Sequence, residues 1–300
     1  MLEFKKVELS DKEWVDEITF MENCAGAEYN FGNMFIWRHN YMPRICRFGD
    51  RLMMKLVCET PPRLVYPIGS GPLRPAVEAL HECAKEEGVP FALTGVGEKQ
   101  KASLEEEMPG CFEFTEEPAR FDYIYRIEKL AEYPGKALHS KRNHCNRFES
   151  EHQWEFVPID AELIPKCLDF MENWLMENAE RLDPSVSHEL DALVQALDNY
   201  DALGMEGGAL FAEGKMLGFT FGEKCGQRCF DTHFEKARGD VNGAYTMVCR
   251  ELARMIRKNH SEIEYINREE DMGLESLRYS KQSYKPEFLL KKYTARWIND

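Results

Sequence analysis

The chain has 300 residues, a formal net charge of -15 at pH 7, 43% hydrophobic residues and 12% aromatic residues. This composition excludes an intrinsically disordered chain and fits one large folded domain or two of ordinary size. An acidic chain has no general attraction for nucleic acids or anionic lipids, so any site for a polyanion must be local.

The amino terminus and the cysteines favour a cytoplasmic protein. The first residues, MLEFKKVELSDKEW, carry charges where a signal peptide needs an apolar core. No apolar run reaches the roughly 18 residues that a membrane span requires, so no contact within a membrane is expected. The ten cysteines lack a disulfide-rich spacing, and Cys225, Cys229 and His233 lack a recognisable fourth ligand. We therefore expect reduced thiols and no metal site.

The first half of the chain predicts a strand hairpin, a further strand, a helix and another strand. Residues 47–51 form a turn before the apolar run MMKLVC, and LVYPIG follows as the next strand. Residues 69–72, Gly-Ser-Gly-Pro, precede a helix whose apolar positions share one face. Residues 91–93 then begin the last strand of the unit.

The second half repeats this order. Residues 207–237 alternate apolar and polar positions between two turns, which predicts three antiparallel strands. A glycine-containing turn at residues 238–243 leads into a helix with an apolar face, and residues 263–266 form the next strand. The helical connection has nearly the same length in both halves, which indicates two copies of one unit.

This unit resembles the acyl-CoA N-acyltransferase fold of the GNAT acetyltransferases. The fold class expected is α+β, with two tandem GNAT-like domains, each a mixed, mainly antiparallel sheet flanked by helices. The turn-rich, acidic stretch near residues 115–121 places the boundary between residues 1–118 and residues 119–300. The first copy is expected to support the second, because its turn at residues 69–72 lacks a nearby basic cluster.

A basic stretch near the middle of the chain is the strongest local signal. Residues 135–148, GKALHSKRNHCNRF, contain four lysines and arginines and no acidic residue, in a chain that has 53. A helix here would pack Leu138, Cys145 and Phe148 and would place Lys136, Asn143 and Arg147 on another face. A solvated helix face is the alternative, but the absence of acids favours a site for the anionic part of a ligand.

Three segments resemble the DUF2156 family, which is related to the C-terminal domain of phosphatidylglycerol lysyltransferase. They are Phe121-Asp122-Tyr123 with Gly135-Lys136, Lys141-Arg142-Asn143 and Asn146-Arg147-Phe148; residues 266–286 with Asn267-Arg268, Asp271-Met272-Gly273 and Tyr284-Lys285-Pro286; and, more weakly, residues 28–38. The resemblance implies transfer of an aminoacyl group from a charged tRNA. The lysyltransferase carries a membrane domain that this sequence lacks, so a soluble or peptide acceptor is expected before a lipid headgroup.

The predicted catalytic residues lie in the second half. Glu235 and Arg238 resemble an Asp-x-x-Arg pair of the lysyltransferase domain. Glu235 would orient the acceptor or take its proton, and Arg238 would donate hydrogen bonds to a phosphate or to a developing oxyanion. Lys281, in the second matching segment, is expected to place a cation across the cleft. An exposed ion pair at a turn and a solvated lysine are the alternatives.

The remaining candidates bind the two substrates. The tRNA 3′ end or acyl-CoA is the possible donor, no other cofactor is expected, and a small molecule, a peptide or a lipid headgroup is the possible acceptor. Asn267 and Asp271 are expected on the acceptor side, although capping of the following helix explains them equally well. The residues expected to bind the donor are Lys136, Lys141, Arg142, Asn143, Arg147, Gly239, Asn242 and Gly243.

Two alternatives to aminoacyl transfer stay open. A CoA-dependent N-acetyltransferase is favoured by the hairpin turn at residues 213–215 and by a helix N-terminus that can bind phosphate. It is disfavoured by Asp240, which lies within an unusually long phosphate turn and would repel pyrophosphate. The other alternative is an inactive member of the fold that binds a ligand or a partner.

Overall fold

The computed structural model describes residues 2–178 and 186–299, which form two seven-stranded mixed sheets with helices packed on them. The elements of the first half are β1 Lys5–Lys6, α1 Lys12–Met21, α2 Phe31–Ile36, β2 Pro43–Phe48, β3 Arg51–Leu56, β4 Arg63–Gly69, α3 Leu73–Glu86, β5 Ala92–Val96, α4 Glu98–Glu107 and β6 Phe112–Glu116. Those of the second half are β7 Asp122–Arg126, α5 Ile127–Glu132, α6 His139–Glu151, β8 Trp154–Pro158, α7 Ile164–Asn178, α8 Val186–Asp198, α9 Tyr200–Leu203, β9 Glu206–Ala212, β10 Lys215–Cys225, β11 Cys229–Ala237, α10 Ala244–Asn259, β12 Tyr265–Asn267, α11 Glu275–Ser283, β13 Phe288–Leu290 and β14 Tyr293–Trp297.

Both sheets contain the predicted unit. The strand orders are β1-β2-β3-β4-β5-β14-β6 and β13-β7-β12-β11-β10-β9-β8. In each sheet a single described pair is parallel, β4 with β5 or β11 with β12, and the connection between its strands contains α3 or α10. The other described pairs are antiparallel, which agrees with the mixed, mainly antiparallel sheets expected from the sequence.

The last strand returns to the first sheet. β14 pairs antiparallel with β5 and with β6, so the carboxyl-terminal strand fills the first sheet between two strands of the first half. The division into residues 1–118 and residues 119–300 stays a prediction, and the sheets do not follow it at β14. This pairing joins sequence-distant segments and has no local sequence signal.

The core of the second half depends on the amphipathic helix α10. Its apolar positions recur every three or four residues, and Val248, Leu252 and Ile256 are buried against the sheet and α5. The strand after α10 starts slightly later than predicted, at Tyr265, and Ile263 is buried in the loop that precedes it. The helix therefore fixes the connection between β11 and β12.

Beyond their short parallel contact, β11 and β12 diverge. The pairing runs only from Cys229 with Tyr265 to Asp231 with Asn267, whereas β11 continues to Ala237. The chain after Asn267 leaves the strand, so among the described residues the second half of β11 has no paired strand on this side and contacts the loop through Arg268 and Glu269 instead. β4 and β5 likewise pair at only two positions. Each sheet thus opens a cleft at the same place.

Buried polar contacts connect the two halves. The backbone N–H of Ala27 donates to Asp122 at 3.1 Å, and the Asn30 side-chain amide donates to Asp231 at 2.6 Å. The Lys292 ammonium lies 2.7 Å from carboxylate oxygens of both Asp122 and Glu28. These groups hold the first-half segment against the second sheet. Among the described residues, none of the helices combines the length and apolarity needed to cross a membrane.

The Lys292→Met substitution tests this junction. Lys292 is 7% exposed, so its removal leaves the buried Asp122 and the partly buried Glu28 without their cation and should lower the free energy of unfolding by about 3–5 kcal/mol. Chemical denaturation measures the effect. Lys291→Met, which removes a neighbouring surface ion pair to Glu116, is the control and should change stability little. Equal, small effects of both substitutions would contradict this account.

Candidate active site

The cleft beside β11 contains a buried ion pair. The side chain of Glu235 accepts a hydrogen bond of 2.6 Å from Nη2 of Arg268, which follows β12. The two side chains are 13% and 10% exposed, respectively. Burial would lower the pKa of Arg268, but Glu235 and its other neighbours raise the pKa well above its usual value, so the guanidinium stays charged. Nη1 of Arg268 is buried and has no hydrogen-bond partner among the described residues.

A second cation lies beside this pair. The Arg268 guanidinium is 4.5 Å from the ring centroid of Tyr284, and the Lys141 ammonium on α6 is 3.7 Å from the same centroid. Burial, together with the positive charge of Arg268, lowers the pKa of Lys141. Two cations therefore share one aromatic ring, and Glu235 is bonded to one of them, Arg268, and acts electrostatically on the other, Lys141.

This arrangement can stabilise negative charge. The free N–H groups of Arg268 lie in a largely water-excluded cleft, where a hydrogen bond to a developing oxyanion is stronger than in water. Cys249 lies near the same charges, but burial raises its pKa to about 12, so it remains a thiol at neutral pH. The cleft thus offers charge stabilisation and a carboxylate rather than a cysteine nucleophile.

Lys281 holds the loop that carries Arg268. Its ammonium donates hydrogen bonds to the backbone carbonyls of Arg268, Glu269 and Glu270. Burial lowers the pKa of Lys281, with a further contribution from the charge of Arg268. Glu269 has a positive φ of 54°, a conformation that costs a non-glycine residue about 1–2 kcal/mol. Lys281 is therefore placed to position the 268–271 loop, and its catalytic role stays a prediction.

The predicted acceptor residues fix the ends of the same loop. The Asn267 side chain donates to Asp122 and to the carbonyl of Ala25, and it accepts from the backbone N–H of Glu269. Asp271 accepts from the hydroxyl of Tyr123, from Arg278 and from the backbone N–H of Gly273. These hydrogen bonds hold the loop and its turn at Gly273, whereas the N-cap of α11 is Leu274, without a side-chain cap among the described residues. Turning of the chain therefore matches the geometry and capping of α11 does not, and the acceptor role stays a prediction.

Arg238 does not contact Glu235. Its guanidinium pairs with Asp240 at 2.9 Å and with Glu177 at 3.3 Å, and its side chain is 37% exposed. Arg238 thus forms an exposed ion pair at a turn, which is the alternative considered from the sequence. Asp240 is thereby paired to a cation, and the neighbouring Gly239 is exposed. The cation next to Glu235 is Arg268, which the sequence analysis quoted in a motif but did not select.

The turn before α10 is covered by α6. Gly243 has a φ of 90°, and a Cβ atom there would lie 2.8 Å from the carbonyl oxygen of His144. The side chains of His144 and Asn242 are hydrogen-bonded at 2.8 Å. Within the described ranges, the first turn of α10 has no side-chain cap, so its N–H groups face this contact without an anionic partner there.

The side chains of the basic stretch fall into three groups: some are exposed, one holds the backbone before α6, and one lies beside Arg268 and Glu235. Lys136, Asn143 and Arg147 are exposed, and Arg147 pairs with Glu151, which lies just outside the acid-free segment. The Arg142 guanidinium donates to the backbone carbonyls of Tyr133 and Gly135, so it holds the chain that leads into α6. Of the predicted donor-binding side chains, Lys141 is the one the structure brings beside Arg268 and Glu235.

A separate buried network lies where the first half meets the second sheet. His233 contacts Glu269 through Nδ1 at 2.9 Å and Glu223 through Nε2 at 3.1 Å, with Asp231 4.0 Å away. Burial would lower the pKa of His233, but the hydrogen bonds to Glu223 and Glu269 raise the pKa well above 6.5. One oxygen atom each of Asp231 and Glu269 and a ring nitrogen of His233 lie within 4.8 Å of one another. Internal hydrogen bonds already engage both ring nitrogens.

The sequence analysis assigned no role to this network. It considered His233 only with Cys225 and Cys229, which face each other across the β10–β11 hairpin as free, buried thiols. His233 instead turns to carboxylates brought together by the fold.

Comparisons with known proteins agree with this architecture. A model of the family described as phosphatidylglycerol lysyltransferase, C-terminal, matches residues 23–296. The crystal structure of a conserved protein of unknown function from Bacteroides thetaiotaomicron VPI-5482 is 36% identical, with a TM-score of 0.94, and the match covers 99% of this chain and 100% of that one. An uncharacterized protein of Mycoplasmoides gallisepticum is 29% identical over 180 residues, which are 59% of this chain. The chain spans little more than half of that curated relative, 56% of its length.

Two further solved structures show the fold. The structure of L-PGS from Bacillus licheniformis is 14% identical with a TM-score of 0.70, covering 99% of this chain and 94% of that one. A tandem GNAT protein from the clavulanic acid biosynthesis pathway is 11% identical with a TM-score of 0.51, covering all of both chains. The predicted pair of GNAT-like domains is confirmed.

The Lys281→Met substitution separates a positioning role from a solvated lysine. Three backbone carbonyls lose their donor, and an unsatisfied buried polar group costs roughly 1–3 kcal/mol. We expect the free energy of unfolding, measured by denaturant titration, to fall by at least about 2 kcal/mol. Lys258→Met on the exposed side of α10 is the matched control. Unchanged stability of Lys281→Met would refute the positioning role.

The His233→Gln substitution tests the buried network through pH. Because the pKa of His233 is raised in the folded protein, its stabilising contribution is complete below the unfolded value near 6.5 and is lost as pH rises through the folded value. The stability deficit of His233→Gln relative to the wild type should thus be largest below pH 6.5 and shrink at alkaline pH. Unfolding free energies at several pH values measure it, with His39→Gln as an exposed control. A deficit that grows with pH would contradict the assignment.

Proposed function

Because the chain belongs to the phosphatidylglycerol lysyltransferase C-terminal family, we propose that it transfers an aminoacyl group from an activated ester to an amine or hydroxyl acceptor. The reaction takes place in the cleft where β11 and β12 diverge. The observation that carries the proposal is the buried Nη1 of Arg268, which has no hydrogen-bond partner among the described residues and lies beside Glu235 and Lys141.

Arg268 and Lys141 act on the donor. The ester carbonyl accepts a hydrogen bond from Nη1 of Arg268, and this bond strengthens as negative charge develops on the oxygen. Lys141, fixed over Tyr284, adds a second positive charge for the phosphate or ribose next to the ester. An aminoacyl-tRNA is the donor that fits best, since the exposed Lys136 and Arg147 can contact its phosphates.

Glu235 acts on the acceptor. The acceptor nitrogen or oxygen attacks the ester carbonyl carbon and forms a tetrahedral intermediate, while Glu235 takes the proton that the nucleophile loses. The intermediate then collapses, the bond to the ribose oxygen breaks, and the proton passes from Glu235 to that oxygen. The step needs no oxidant or reductant, and the ester supplies the driving force.

Acetyl-CoA as donor is the second candidate. The uncapped N-terminus of α10 favours a pyrophosphate. The contact between α6 and Gly243 disfavours it, because His144 and Asn242 cover this turn. Pairing of Asp240 with Arg238 weakens the repulsion of phosphate that the sequence predicts. The two donors make different predictions for ligand stabilisation.

The Arg268→Gln substitution tests the proposal. Transfer is followed as loss of acid-precipitable label from a tRNA pool charged with radiolabelled amino acids, with diamines, peptidoglycan peptides and phosphatidylglycerol vesicles as acceptors. We expect one acceptor class to accelerate the loss, and Arg268→Gln to lower that rate by roughly 100-fold to 1000-fold, since it removes the charged oxyanion donor. Arg257→Gln, which alters an exposed ion pair on α10, is the control and should keep the wild-type rate.

Thermal unfolding with charged tRNA, uncharged tRNA, CoA and acetyl-CoA distinguishes the alternatives. Stabilisation by charged tRNA that weakens with salt supports aminoacyl transfer. Stabilisation by acetyl-CoA alone supports N-acetyl transfer instead. No stabilisation by any of the four ligands, together with no label loss, contradicts both and leaves an inactive binding protein.

A further inference from the structure

A cavity of about 340 Å³ lies between the two halves of the chain. It lies where β4 and β5 diverge, because Val65, Thr94 and Gly95 line it. This is the same place in the first sheet that the candidate active site has in the second. Glu235, Arg268 and Lys141 are not among its lining residues. Its volume is within the range of small-molecule sites.

Acidic groups exceed basic groups at one side of this cavity. Glu28 and Glu270 line it together with Lys292, and Asp122 lies directly behind Lys292. Lys292 is shared by Glu28 and Asp122 and is also influenced by Glu270, so one ammonium faces three carboxyl groups. Arg120 and Glu59 line the cavity as well, and their opposite charges leave this excess of carboxyl groups unchanged. Burial raises the pKa of Glu270 to about 7, although the charge of Lys292 opposes this shift. A cation that enters the cavity would therefore remove an unfavourable excess of negative charge.

The other walls suit an aliphatic stem. Trp37 and Tyr41 line the cavity with ring centroids 5.7 Å apart, and Met34, Met54 and Leu56 add apolar surface. Aromatic faces attract ammonium groups as well as apolar chains. Thr94 also lines the cavity, and this residue is 6% exposed. Its hydroxyl oxygen is buried without a hydrogen-bond partner among the described residues, so one polar atom next to the cavity is left unsatisfied.

We propose that this cavity binds an organic cation, a primary ammonium on a short aliphatic stem, between Glu270 and the Trp37–Tyr41 pair. The first half of the chain then has a binding site of its own instead of serving only as support for the second. The proposal does not depend on the proposed transfer reaction, because the residues concerned differ. It is also independent of whether the ammonium belongs to a free amine or to a lysine side chain of a peptide.

Isothermal titration at pH 8 with n-pentylamine and with 1-pentanol tests the proposal. The two probes have the same length, and only the amine is charged. We expect the amine to bind at least about tenfold more tightly than the alcohol, a difference of about 1.4 kcal/mol. Glu270→Gln keeps the side-chain shape and should abolish this preference. Trp37→Leu should weaken the binding of both probes.

Glu78→Gln, an exposed change on α3, is the matched control and should bind like the wild type. Thermal unfolding of Glu270→Gln confirms that the variant is folded, which is expected because the change removes a buried charge. Equal binding of amine and alcohol would overturn the proposal, as would binding of the amine that Glu270→Gln leaves unchanged. Failure of the wild type to bind the amine at all would overturn it too, whatever the outcome for aminoacyl transfer.

Discussion

The Lys281 ammonium and the three carbonyl oxygens that it joins determine the arrangement of both sites. They hold a short loop whose consecutive side chains contact three different parts of the structure. Arg268 reaches Glu235 in the cleft, Glu269 reaches His233 in the buried network, and Glu270 lines the cavity between the halves. Since Glu269 has an unfavourable left-handed backbone, the loop needs these three hydrogen bonds to keep its shape.

The duplicated fold produces two clefts with opposite electrostatic character. Divergence of a short parallel strand pair opens each sheet at the same position. Beside β11, Lys141 and Arg268 outnumber Glu235, whereas near the first sheet Glu28, Glu59, Asp122 and Glu270 outnumber Lys292 and Arg120. One unit is thereby suited to an anionic or polarised ligand and the other to a cation. An acidic chain can thus contain an electropositive cleft, because the cations are buried where few carboxylates reach them.

Sequence patterns predicted those features that depend on neighbours along the chain. The alternation in β9 to β11 and the apolar face of α10 follow from residues close in sequence, and the family follows from short motifs. Pairing of Glu235 with Arg268 joins positions 33 residues apart, so local spacing favoured Arg238 instead. Lys281 and Asn267 were selected for chemistry, but Lys281 binds three backbone carbonyls, and Asn267 binds Asp122 and the backbone of Ala25 and Glu269, partners that only the fold brings near. The return of β14 to the first sheet is likewise a long-range event.

The most direct test of the central claim is a crystal structure with 3′-aminoacylamino-3′-deoxyadenosine, a non-hydrolysable analogue of the aminoacyl end of tRNA. The account predicts that the aminoacyl group lies between β11 and the 268–271 loop, with its carbonyl oxygen within hydrogen-bond distance of Nη1 of Arg268. Glu235 should then face the position from which an acceptor attacks. An analogue bound only in the cavity between the halves, or at the N-terminus of α10, with Arg268 Nη1 still without a partner, would contradict the account.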